Sequence, residues 1–387
     1  MILLLLLLVN VLVHATPPSF CPFANIDSKC STDAKYRTHD GSCNNMENTM
    51  LGKSITPYKR LLPPAYDDSI GTPRKLSKID SQPLPNARQI SLAVHASLSP
   101  ETPTASASRL SHLGVIFGQF INHDLSLAAS TSKQGTQPLK CTCTMSDNAD
   151  CINVDTPKDD TLFADQSCMS LTRSGASIDK FDCTLNAREQ VNLVTHWLDL
   201  SQVYGNDEQT TKSLRDMKRG LMKTSRISGL HEQLPKATKG GCVDEKNDET
   251  CFESGDTRTS QNLMLTSFHL VFMREHNRLA REMRRMHRDW TDENLYEEAR
   301  RINTAIYQHI VYKEWLPIVL SGDKVKEFQL EVNTASDFFM GYNSSVNPHM
   351  AAEFSGAAFR FGHSLGKIIS IFYKNARRPD PHLASSR

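Results

Sequence analysis

The sequence predicts a mainly α-helical fold in one large domain. Three observations predict it. Apolar residues recur at helical spacing in several long segments, no series of alternating strands is visible, and no internal repeat divides the chain. The chain has 387 residues with a net charge of +1 and 39% hydrophobic residues, enough to bury a substantial core and too apolar for global disorder. Balanced charge argues against a nucleic-acid binder, which carries a basic excess. Collagen, a coiled-coil array and a multispan membrane protein are excluded as well.

The elements follow in chain order. Residues 2–13 read ILLLLLLVNVLV, an apolar run shorter than the roughly 20 residues that span a bilayer. Val13 and Ala15 precede Thr16, which suits a signal peptide over 1–15 cleaved after Ala15, although no Lys or Arg stands before the run. The chain is therefore expected to be secreted, with no membrane span. Residues 16–108 form a Pro-rich approach segment, with Pro63-Pro64, Gly71-Thr-Pro73 and Pro83-Leu-Pro85 as turn markers. It is expected to wrap over a core. The residues with chemistry to offer fall in a core over 109–365, followed by a divergent tail over 366–387.

Within that core, residues 109–129 place apolar side chains at 110, 113, 116, 117, 120, 121 and 125, a helix with one buried face. A Cys- and Asp-rich loop covers 132–183. Helices are expected over 186–198, 207–218, 260–287 and 292–320. The last has Thr291 as its cap and Glu293, Glu297 and Glu298 in its first turns. A final helix is expected over 348–372.

Ten cysteines, none beyond 251, read in a secretory context as structural disulfides. Cys30–Cys43 and Cys242–Cys251 close short loops and are expected local pairs; the remaining connectivity stays open. Cys141-Thr-Cys143 lacks zinc-knuckle spacing. Asn343-Ser-Ser is the one N-glycosylation sequon.

Five segments offer chemistry, and each has a plainer reading when taken singly. Gln119 and His123 lie four apart and share a helix face, while Asp124 is turned by roughly 100° toward a different site. The plain reading is a histidine hydrogen-bonded at a core edge. Thr195, Trp197, Asp199 and Ser201 alternate along a segment where hydroxyls, a carboxylate and the Trp197 carbonyl can converge, an all-oxygen set suited to calcium. An Asx or ST turn is the plain alternative. Arg258 precedes a strong helix and can serve as a fixed positive charge, or can merely pair with Asp256. Arg274-Glu-His-Asn-Arg278 has the composition of a buried structural network. His363, flanked by aromatics and glycine in Phe359-Arg-Phe-Gly-His-Ser364, can be an axial haem ligand or a core histidine.

Taken together, FGQFINHDL (117–125), REQVNLVTHWLDLSQVYG (188–205), GDTR (255–258), LTSFHLVFMREHNRLA (265–280) and FRFGHSL (359–365) stand in the order found in animal haem peroxidases. The chain resembles that family, in particular its secreted invertebrate and peroxinectin-like members. KYRTHDGSCNN (35–45) and PYKRLLPPAYDD (57–68) resemble its N-terminal part, so the likeness runs over roughly 20–365. The resemblance implies haem b and Ca2+ as cofactors and hydrogen peroxide as substrate, with phenols, tyrosyl groups or halides as donors.

It also implies roles. His123 matches the distal histidine, Gln119 the distal glutamine, Arg258 the distal arginine and His363 the proximal iron ligand; Arg360 is a candidate for a propionate. Asp124, Thr195, Trp197, Asp199 and Ser201 match the calcium site. Neutral His123 suits proton transfer, and Arg258 suits the negative charge that grows as an O–O bond breaks. Three departures stand out. Asn122 and Gln261 replace acids that some mammalian members esterify to haem, and Asn262 replaces a methionine that one of them links to it. Non-covalent haem is expected. The family also continues well past the proximal histidine, so the sequence reads as a C-terminally truncated member that would hold haem poorly. The alternatives are an impaired peroxinectin-like adhesion protein, though no RGD or KGD tripeptide is present, and a fatty-acid dioxygenase of the same superfamily.

Overall fold

A computed structural model describes residues 30–95, 110–133, 137–160, 163, 165–177, 187–226, 231–237, 251–332, 341–365, 373–374 and 378–379. The signal-peptide expectation over 1–15 and the Cys242 half of the pair expected with Cys251 lie outside the described residues. The elements in order are β1 (Thr56–Pro57), α1 (Ala87–His95), α2 (His112–Leu125), β2 (Ser132–Lys133), β3 (Gln137–Pro138), β4 (Cys151–Asp155) and β5 (Cys168–Thr172). β6 (Val191–Asn192), α3 (Ser201–Tyr204), α4 (Glu208–Leu214), α5 (Leu263–Met286) and α6 (Asp292–His309) follow. A π-turn (Ile310–Trp315), α7 (Leu316–Val319), α8 (Gly322–Glu327), α9 (Ala352–Gly356), a 3-10 helix (Ala358–Leu365), β7 (Tyr373–Lys374) and β8 (Arg378–Pro379) complete the series. Helix dominates among the described residues, where each sheet has two strands. Among the described residues no helix is long and apolar enough to cross a membrane.

The core forms where α2, α5 and α6 bury their apolar stripes. Phe120 of α2 is fully buried, stacked on Phe272 of α5 at 5.4 Å and edge-on to Tyr307 of α6 at 5.9 Å. Rings in these geometries add about 0.5–1.5 kcal/mol per pair to their burial. The starts of these three helices are capped by side chains. Ser111 accepts from Gly114 N, Asn262 from Leu265 N, and Thr291 forms a reciprocal capping box with Asn294.

After α6 the helix widens into the π-turn. Pro317 has no N–H for the carbonyl four residues back, and its ring crowds that carbonyl. Leu316 N accordingly donates to Val311 O, five residues back. This seats Trp315 against α2, its indole N–H on Gly114 O at 2.9 Å.

The first described stretch clamps the middle of the chain. Cys30–Cys43 closes its first loop, β1 pairs antiparallel with β6, and Tyr36 donates to Glu298 of α6. Gly41 and Gly52 both have positive φ, and a Cβ on Gly52 would overlap the Trp197 indole. Only glycine permits this approach.

Four expectations are corrected. The expected helix over 186–198 is extended and turning where described, because Asn192 pairs with β1 and its side chain bonds Leu125 O and Leu127 N. The helix expected to run to 218 ends at Leu214, where Arg215 turns to Asp292 and Glu293 and Met217 and Arg219 adopt positive φ. The helix expected over 348–372 is broken at Ala357 into α9 and the 3-10 helix. The loop over 132–183 contains the hairpin β4–β5, stapled by Cys141–Cys151 and Cys143–Cys168. Isolated two-stranded ribbons are marginal in water, so the bridges do the work that an apolar pattern would have signalled. The approach segment also holds α1, begun by Asn86 accepting from Arg88 N and Gln89 N.

Arg274-Glu-His-Asn-Arg278 is the structural network expected. His276 bonds the Tyr204 hydroxyl at 3.0 Å and Gly220 O at 2.9 Å, and Asn277 brackets Met222 through both backbone groups. Burial lowers the pKa of His276 and of His269 to about 4. Each folded-state value lies below the ordinary 6.5, so each group's contribution is complete above pH 6.5. It is lost as pH falls toward 4, where only the unfolded chain takes the proton. Each histidine costs up to about 1.4 kcal/mol per pH unit in that window. Urea midpoints should therefore fall steadily between pH 6.5 and 4.5, and less steeply in His276→Gln; a flat profile would contradict the assignment.

Candidate functional site

α2 is built to serve two sites. Phe117, Phe120 and Ile121 bury its core face, while Gln119, Asn122 and His123 line a cavity of about 420 Å³. Arg258 and Gln261 line the same cavity from the turn before α5, and Arg360 and His363 from the 3-10 helix. The remaining wall includes Val115, Ile116, Trp315, Phe359 and Phe361. The structure thus brings together every candidate from 119 to 123, from 258 to 261 and from 360 to 363.

His123 is buried, and its Nδ1 is sealed from solvent with no hydrogen-bond partner among the described residues. Nε2 is therefore the ring nitrogen that can serve the cavity. Burial first, and the Arg258 charge second, pull the His123 pKa down to about 3, so the imidazole is neutral at ordinary pH.

Arg258 has no freedom to swing. Its Nε and Nη2 donate to the two oxygens of Asp256 at 2.8 and 2.7 Å, Nη1 to Ser126 O at 2.9 Å, and Nη2 also to His123 O at 3.1 Å. The pair with Asp256 is real, but it is buried rather than on the surface. Burial alone would push the Asp256 carboxyl up; the bonds and charge of Arg258 outweigh it and hold it below the usual range. The turn fits because Gly255 lies against α3, where a Cβ would overlap the Ser201 carbonyl and Gly205 N.

Gln119 is fixed by amides. Asn262 Nδ2 donates to Gln119 Oε1, and Gln119 Nε2 donates to Gln261 Oε1, both at 3.1 Å. Asn262 is also the N-cap of α5. A cap residue and a cavity residue are thereby one unit.

On the opposite side of α2, Asp124 is fully buried beside Asp199. Its carboxylate accepts from three successive backbone groups, Asp199 N at 3.1 Å, Leu200 N at 3.2 Å and Ser201 N at 2.7 Å, and from Ser201 Oγ at 2.7 Å. Leu200 takes φ 60° to aim these groups inward. Thr195 Oγ1 donates to Asp199 at 3.0 Å. Burial, then the adjacent Asp199, pushes the Asp124 carboxyl well above its usual range, and burial raises that of Asp199. Asp124, Thr195, Asp199 and Ser201 therefore converge, and their donors are all oxygens. The Trp197 indole donates from Nε1 to Gly41 O at 3.2 Å.

Sequence reasoning missed Trp315, the Asn262–Gln119 bond and Ser126 behind Arg258. Pro317 two residues after Trp315 was the available signal for the first; the others are side-chain contacts between distant segments and leave no local pattern.

The model of the animal haem peroxidase family matches residues 36–383. The chain belongs to the animal haem peroxidase family. It is 36% identical over 366 residues to chorion peroxidase of Aedes aegypti, covering 91% of this chain and 44% of that protein. It is 32% identical over 349 residues to the peroxidasin homolog of Homo sapiens, covering 86% of this chain and 23% of that one. The chain thus spans less than half the length of these relatives. Its fold matches peroxidase A from Dictyostelium discoideum at TM-score 0.67, with 24% identity over 89% of this chain and 63% of the other. It also matches Oryza sativa fatty acid alpha-dioxygenase at TM-score 0.58, with 19% identity over 90% and 52%.

Removing Asp256 leaves Arg258 in place without its counter-charge. Breaking a buried pair from one side costs about 3–5 kcal/mol. Asp256→Ala should lower thermal stability by about that much, which calorimetry reads; a loss under 1 kcal/mol would show the pair to be dispensable.

Proposed function

We propose that this chain forms the haem- and calcium-binding core of a secreted peroxidase. It would reduce hydrogen peroxide and oxidise small donors, with phenols, tyrosyl groups or halides as the class. One observation carries the reading: His123, Arg258 and His363, from three segments far apart in sequence, line one cavity in a chain of this family. The walls suit the cofactor, because apolar and aromatic side chains accompany two imidazoles, as a flat apolar ring with a nitrogen-ligated iron requires. When bound, haem supplies the iron at which peroxide is reduced and the donor oxidised.

The protein's own part is binding and proton management. His363 would hold the haem iron, and Arg360 would pair with a haem propionate. Neutral His123 takes a proton from hydrogen peroxide at Nε2 and returns it to the departing oxygen. Arg258, held by Asp256, keeps its charge where negative charge develops, and Gln119 orients the reactants beside it. Asn122 and Gln261 offer amides where an ester would need a carboxylate, which supports non-covalent haem. Asp124, Asp199, Thr195 and Ser201, with the Trp197 carbonyl, are the proposed calcium ligands. Two carboxylates pressed together in the interior lack an ion-paired Lys or Arg among the described residues, and a divalent cation removes the repulsion. The disulfides and the N-terminal apolar run support secretion.

Purified protein titrated with haem should develop a Soret band and catalyse peroxide-dependent oxidation of a phenol. His363→Ala should lose the band, and Arg258→Ala should keep it while turnover falls about 100-fold or more. Protein that takes up no haem would leave the adhesion reading in its place. Acid-butanone extraction after peroxide treatment should remove all haem; haem retained on a peptide containing 122 or 261 would refute the non-covalent assignment.

A further inference from the structure

We propose that the buried hydroxyls of Ser126 and Ser355 are positioning residues, latching the wall that carries Arg258 to the wall that carries Arg360 and His363. The proposal rests on the reading of the cavity as a haem site. Ser126 ends α2, and its carbonyl accepts from Arg258 Nη1 at 2.9 Å. Ser355 lies in α9, and its carbonyl accepts from Arg360 Nε at 3.0 Å. The two hydroxyls bond each other, and both serines are buried. Each cavity arginine therefore donates one bond to the carbonyl of one member of a hydroxyl pair.

The pair has a single consistent direction. Asn192 Nδ2 donates to Leu125 O and its Oδ1 accepts from Leu127 N, which fixes the amide. Tyr58 Oη donates to that Oδ1 at 3.1 Å and lies 2.8 Å from Ser126 Oγ. A hydroxyl has one proton. Tyr58 has spent its own, so Ser126 donates to Tyr58, and Ser355 must donate to Ser126. The order runs Ser355 to Ser126 to Tyr58 to Asn192, from α9 through the end of α2 to the residue after β1 and then to β6. A reversed hydroxyl would leave two protons facing each other in a buried place. The latch thus sets the 3-10 helix against α2 without touching the cavity.

Trp315 reports on this joint, since it lines the cavity and lies edge-on to Phe359 of the 3-10 helix at 6.3 Å. The experiment labels the three tryptophans with 5-fluorotryptophan, assigns the Trp315 ¹⁹F signal by Trp315→Phe, and compares Ser126→Ala, Ser355→Ala and Ser225→Ala. Ser225 is the control, as its hydroxyl makes a bond to Leu234 O at 2.6 Å and neither residue lines the cavity. The two latch variants should shift or broaden the Trp315 signal in haem-free protein. They should also weaken haem binding about fivefold, the worth of one neutral hydrogen bond. Ser225→Ala should lower thermal stability and leave both readouts unchanged. If an alanine variant does not fold, Tyr58→Phe keeps the ring, removes the acceptor of Ser126 and is read in the same way. Latch variants that lose only thermal stability, as Ser225→Ala does, would overturn the proposal. A shifted Trp315 signal in a protein whose wild type takes up no haem would keep the latch and remove the haem reading.

Discussion

The Asp124 carboxylate is the contact on which the site depends. It sits on the last turn of α2, fully buried, and gathers the N–H groups of residues 199, 200 and 201 together with the Ser201 hydroxyl. Taking a carboxylate out of water costs several kcal/mol unless hydrogen bonds or charge replace the hydration. Here the replacement is a turn of backbone that could not hold its shape alone, because Leu200 must adopt a left-handed conformation. The carboxylate and the strained turn stabilise each other. The carbonyls of the same turn are held from the other side, Leu198 O by Gln308 and Asp199 O by Thr304 of α6.

This arrangement places two sets of polar side chains back to back on one helix. His123 faces the cavity while its neighbour Asp124 faces the turn, a consequence of helical geometry alone. Around it, supports converge from distant parts of the chain. Gly52 and Gly41 admit Trp197, Gly255 admits the Arg258 turn, and the π-turn before Pro317 seats Trp315 beside Gly118, where a Cβ would come within 2.9 Å of the indole. The same logic runs through Asn262, which caps α5 and orients Gln119 with one side chain.

Much of this was legible in the sequence. The long amphipathic segments that became α2, α5 and α6 were readable because their apolar spacing is set by the faces they bury. His123, Arg258 and His363 were readable because their motifs keep a characteristic order. The extended stretch through Asn192 was not, since its conformation comes from pairing with β1 more than a hundred residues earlier. The hairpin β4–β5 was hidden for a related reason: disulfides stabilise it where an alternating apolar pattern would have announced it. The break at Ala357 was equally invisible, because Glu353 turns to the backbone of Leu61 and Leu62 and Arg360 folds back on Ser355. Local pattern carries local structure; contacts between remote segments decide the rest.

Asp124 thus joins the 199–201 turn and the end of α2 into one unit. Peptide-resolved hydrogen exchange on Asp124→Ala against wild type tests it most directly. Protection should fall together in the turn and in the last turn of α2, which includes His123, while the capped start of α5 keeps its own. Loss of protection confined to residues 199–201, with α2 unchanged, would contradict it.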